Sequence, residues 1–78
     1  MRWRYKLLEH KDGIYRYAYS HESDELDGVM VYDANTEDLW IEKAAAKDTN
    51  KFFEERSISH FYFVIKDGFP DERSVCCG

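Results

Sequence analysis

From Trp3 to Glu9 the chain alternates, with Trp3, Tyr5 and Leu7 against Arg2, Arg4 and Lys6. That period of two predicts a half-buried β-strand. Asp12-Gly13 follows, the dipeptide a two-residue type I′ turn needs because both its positions have positive φ. Tyrosine then takes every second position from Tyr15 to Tyr19. With Asp12-Gly13 as the loop, Lys11 faces Ile14, Glu9 faces Arg16, Leu8 faces Tyr17 and Lys6 faces Tyr19. The Glu9–Arg16 match supports this register at roughly 0.2–1 kcal/mol, and a one-residue slip loses it and reverses every face. In that register Tyr15, Tyr17 and Tyr19 share a face with Arg4, Lys6 and Leu8. Trp3, Tyr5, Leu7, Ile14 and Ala18 line the other, more apolar face, where a helix is expected to pack.

Ser20 to Gly28 is polar and acidic and predicts a connecting loop. A second hairpin follows, Gly28–Asp33 with Asp38–Glu42, joined by Asp33-Ala34-Asn35-Thr36, in which the Asp33 carboxylate is placed to accept from amides two or three residues on. Residues 58–65 carry two competing signals. Phe61-Tyr62-Phe63-Val64-Ile65 has the β-propensity of a buried strand. Ile58, Phe61, Tyr62 and Ile65, at i, i+3, i+4 and i+7, make one face of a helix. Ser57 as a cap and Gly68-Phe69-Pro70 as a stop favour the helix. Its start lies either at Ser57 or upstream near Thr49; Phe52 and Phe53 point away from the later stripe, which favours a break between them. Arg73 to Cys77 suits a final edge strand. The whole reads as one domain over residues 1–78, of α+β class: an antiparallel sheet of four to five strands with one main helix on one face.

Size sharpens that picture. A chain of 78 residues buries only about 60–65% of its unfolded surface, so aromatic residues, each covering ~150–250 Å², carry much of the core. An aromatic share of 17% also argues against disorder and leaves rings to spare for a second surface. A net charge of −5, from 11 basic and 16 acidic residues, disfavours phosphate backbones and anionic membranes. With no long apolar run and no apolar leader, a cytoplasmic protein without a membrane partner is expected. Adjacent Cys76 and Cys77 offer no disulfide framework and read as reduced thiols.

Candidate chemistry is sparse. His10, His21 and His60 are scattered, and His60 with Cys76 and Cys77 makes an awkward metal set, so neither metal nor cofactor is expected. A cysteine nucleophile beside the chain end lacks a rigid site. The acidic stretches Asp24–Gly28 and Asp33–Asp38 miss the calcium-loop pattern, and no glycine-rich phosphate loop occurs. The expectation is therefore a non-enzymatic protein that works through protein–protein contact, with homodimerisation leading. Its expected binding residues are Arg4, Lys6, Tyr15, Tyr17 and Tyr19, a face of the kind enriched at interfaces. Two alternatives use other chemistry. The same aromatic and basic face could stack and hold single-stranded nucleic acid, against the acidic balance of the chain. The loop Glu22–Asp27 could instead dock a basic enzyme, as an inhibitor or immunity-type partner does.

Overall fold

The apolar alternation becomes five antiparallel strands in a computed structural model that describes residues 2–76. They are β1 (Arg2–Lys11), β2 (Ile14–His21), β3 (Gly28–Asp33), β4 (Asp38–Lys43) and β5 (Glu72–Cys76), in the order β4-β3-β2-β1-β5. Between β4 and β5 the chain forms α1 (Lys51–His60) and α2 (Tyr62–Lys66), which pack on one face of the sheet. The α+β class is as the sequence predicts, and β5 is the fifth strand; the expectation for Cys77 lies outside the described residues. No helix among them is long and apolar enough to cross a membrane.

Local chemistry sets most boundaries. Asp12 and Gly13 both have positive φ, 53° and 81°, as a type I′ turn requires. The Asp33 carboxylate accepts from Asn35 N–H at 2.8 Å, and the Asn35 amide reaches Asp12 O at 3.0 Å, tying the two hairpin turns together. Asn50, not Ser57, caps α1: its side chain accepts from Phe53 N–H at 3.1 Å. Helix therefore covers Phe52 and Phe53, and the break falls later, at Phe61. Gly68 at φ 79° closes α2. Gly68 N–H bonds Ile65 O at 3.1 Å and Phe69 N–H bonds Val64 O at 3.0 Å, the paired bonds of a Schellman stop.

The register of β1 on β2 departs from the expected one at a single residue. Lys11↔Ile14 and Glu9↔Arg16 pair as predicted, but Leu8 is a β-bulge, so Leu7 pairs with Tyr17, Tyr5 with Tyr19 and Trp3 with His21. One extra residue turns every side chain beyond it to the other face. Trp3, Tyr5 and Leu7 still look toward the helix, as expected, but Tyr17 and Tyr19 now stand beside them while Ile14 and Ala18 lie on the far side. The core is Trp3, Tyr5, Tyr17, Tyr19, Met30, Tyr32, Ala45, Phe61, Val64 and Val75. Of the expected helical stripe, Phe61 is fully covered and Ile58 and Ile65 pack against the core, with Ser57 and Val64 beside them, while Tyr62, expected on the inner face, is 54% exposed.

Candidate functional site

The five residues proposed from sequence do not form one surface. Tyr17 and Tyr19 are completely buried, and Tyr15 is half-buried, its ring stacked between His10 and Phe69 with centroids 3.9 Å away on each side. Tyr5 and Tyr17 meet the ring of Phe61 edge-on at 5.5 and 5.2 Å. Arg4 and Lys6 lie on the opposite face, where Arg4 pairs with Ser20 and Ser74, and Lys6 with Ala18 and Glu72. The cause is the Leu8 bulge, which the period-two pattern does not reveal.

Fully buried phenols need partners, and Tyr5, Tyr17 and Tyr19 each have one. Tyr5 donates to Ser57 O at 2.6 Å, Tyr17 to Pro70 O at 2.8 Å, and Tyr19 to Asp48 Oδ2 at 2.7 Å. Burial raises all three phenols well above their ordinary value near 10; Tyr19 and Asp48 add to the rise at Tyr5, and Tyr15 and Asp71 at Tyr17. At Tyr19 the Ala45 N–H pulls the other way, while Asp48 pushes further up.

Asp48 is the hub of this network. Its Oδ2 also accepts from Ser57 Oγ at 2.8 Å, its Oδ1 accepts from His21 Nδ1 at 3.2 Å, and Ser57 Oγ accepts from Trp3 Nε1 at 2.7 Å. Trp3 lies between the rings of His21 and His60, at 4.6 and 4.0 Å. Ser57, His21 and Asp48 are the residue types of a nucleophilic triad, but the serine hydroxyl bonds the carboxylate instead of the imidazole. A triad needs its base on the nucleophile. What the arrangement does is pin the 44–50 connection and α1 to β1 and β2.

The far face of the sheet carries the basic stripe, and the chain's own acidic loop sits against it. Asp24 meets Arg2 at 3.0 Å and Arg4 at 3.6 Å, and the Asp24 carbonyl accepts from Arg4 at 3.5 Å. Beside it Arg4, Lys6, Leu26, Glu72, Arg73 and Ser74 line a small cleft of about 50 Å³. Basic and acidic members are mixed there, and Arg4, a residue expected to hold a partner, is engaged internally.

The larger concavity lies on the helix side, at the opposite edge of the sheet. Tyr32, Leu39, Tyr62 and Ile65 form its floor and walls, with Glu37 and Lys66 also lining it, around a volume of about 400 Å³. One side of it is the five-residue α2, whose Tyr62, Ile65 and Lys66 face Leu39 of β4 and Tyr32 of β3 across the opening. Leu39 and Ile41 of that strand pair with Tyr32 and Met30 and so point to the helix side, each half-covered. On the other face Trp40 is 44% exposed. Among the described residues no strand lies beyond β4, so its outer backbone groups have no ladder partner there. Sequence reasoning missed this site. Leu39, Trp40, Ile41 and Tyr62 were visible as apolar residues, but nothing in their spacing says that β4 is an outer strand.

Compared with known protein families, curated proteins and solved structures, the chain matches none. Its function has to be argued from this surface.

Proposed function

We propose that this is a non-enzymatic, cytoplasmic protein that works through protein–protein contact, made at β4 and the groove beside α2. One observation carries the reading. An open strand edge bearing Leu39-Trp40-Ile41 runs alongside an apolar groove walled by Tyr32, Tyr62 and Ile65. Edge strands accept an added strand through main-chain hydrogen bonds, and neighbouring pockets take its alternate side chains. Exposed tryptophan and tyrosine supply the anchors on which such contacts depend. The contact expected from the sequence thus moves from the tyrosine stripe, now core, to this edge.

Single-stranded nucleic acid fits less well on the expected residues, because the three tyrosine rings and the basic Arg4 and Lys6 lie on opposite faces. Docking of a basic enzyme on the Glu22–Asp27 loop is weakened by Arg2 and Arg4, which already offset the charge of Asp24. Covalent surface labelling tests the proposal. Tyr62 and Trp40 should label less in native cytosol than in dilute purified protein, while Phe52, 59% exposed on α1, labels equally in both. Equal labelling of all three would remove the reading.

A further inference from the structure

The two edges of the sheet differ in kind. The outer strand β5 runs Glu72-Arg73-Ser74-Val75-Cys76, with charge at its start and Val75 turned into the core. Such charges discourage edge-to-edge pairing. At the centre of β4, Leu39, Trp40 and Ile41 are apolar on both faces. A strand like that is a template for another strand, and the strand that fits it best is a second copy of itself.

We propose that two copies pair through β4, antiparallel about a twofold axis at Trp40, giving a continuous sheet across the dimer. The inference rests on the contact reading above and names its partner. A twofold axis perpendicular to the sheet keeps each face on its own side, so only registers centred on a residue are allowed. Centred on Ile41, the register sets Trp40 against charge. Centred on Leu39, it sets Trp40 against Asp38 and Ile41 against Glu37. Centred on Trp40, it sets Leu39 against the copy's Ile41 on the helix side, twice, and brings the two Trp40 rings together on the other.

Charge then settles the ends of this register. A second irregularity lies in β4: Met30 pairs with Ile41 but Val29 with Lys43, so Glu42 is the extra residue. Lys43 therefore stands where Glu42 would in a regular strand, level with Asp38 of the copy and on the same face. Glu42 is drawn aside by an ion pair with Arg16. Asp38 stands across from Asp33 in its own subunit, a like-charge pair that a facing Lys43 offsets. The contact is isologous, as a closed dimer requires.

Sedimentation equilibrium from micromolar to submillimolar concentration reads this directly. Wild type should show a monomer–dimer equilibrium, and Trp40→Lys should be monomeric with unchanged far-ultraviolet circular dichroism. Asp38→Lys and Lys43→Asp should each weaken the dimer roughly threefold to tenfold, and the double variant should restore it. A wild type that stays monomeric overturns the proposal, as does a dimer indifferent to Trp40→Lys or a double variant that rescues nothing. A monomer whose Tyr62 and Trp40 are nevertheless protected in cytosol leaves the contact reading standing and removes only self-pairing. A monomer without that protection removes both.

Discussion

Tyr19 shows how much one side chain decides. Its ring covers Gly28, where an added Cβ would come within 2.4 Å of the ring, and its hydroxyl joins Asp48. Gly28→Ala must displace the ring and break that bond, for an expected loss of about 1–3 kcal/mol in a urea titration. Asp48→Ala strands the Tyr19 and Ser57 hydroxyls and His21 Nδ1, at roughly 1–3 kcal/mol for each group left unpaired. A loss below about 1 kcal/mol for Asp48→Ala would show that the hub carries little. The phenols also give the stability a pH dependence. Folding raises Tyr5, Tyr17 and Tyr19 above the value of 10.0 for a free phenol, so the fold favours their protonated forms. Their contribution is complete below about pH 10 and is lost as pH climbs toward the raised values, because the unfolded chain ionises first. Alkaline titration should show tyrosinate absorbance from the buried rings rising together with loss of near-ultraviolet ellipticity. Full ionisation before any loss would contradict the burial. At this scale the sequence was partly legible: the Glu9–Arg16 match was real, but no local rule marks Leu8 as surplus.

Among the elements, that surplus residue has the largest consequence. Both strands of the first hairpin, its turn and its first pairs were readable, because alternation and Asp12-Gly13 are local signals. A bulge is a property of the pair, set by which face the helix covers, and here it lets Trp3, Tyr5, Tyr17 and Tyr19 all point inward. Deleting Leu8, which is 55% exposed, should close the ladder with Glu9↔Arg16 and Leu7↔Tyr17 intact. We expect a folded variant with its Trp3 environment, read by fluorescence, unchanged. A variant that exposes Trp3 would show that the bulge holds strain the fold needs. The helical region was legible as helix because the stop at Gly68-Phe69-Pro70 is chemical. Most of its inner face was legible too: Phe61 is core and Ile58 and Ile65 pack against it, but the stripe is centred on Val64, and Tyr62 falls outside it, 54% exposed. Tyr62, left outside the stripe, lines the groove beside β4 instead.

At the scale of the whole molecule, strand order is what the sequence concealed. Strand β5 pairs with β1 on one side, which leaves β4 as the outer strand on the other. This long-range choice turns Leu39-Trp40-Ile41 from an ordinary hairpin arm into an open edge. A chain of 78 residues has a small core to rely on, and completing the sheet in a second copy would add to it. Amide hydrogen exchange at low and high protein concentration tests this most directly. The amides of Leu39 to Ile41 should exchange more slowly as concentration rises, while those of the other edge, Glu72 to Ser74, keep their rates. Rates at β4 that do not change with concentration, or that slow no more than those at β5, would contradict the account.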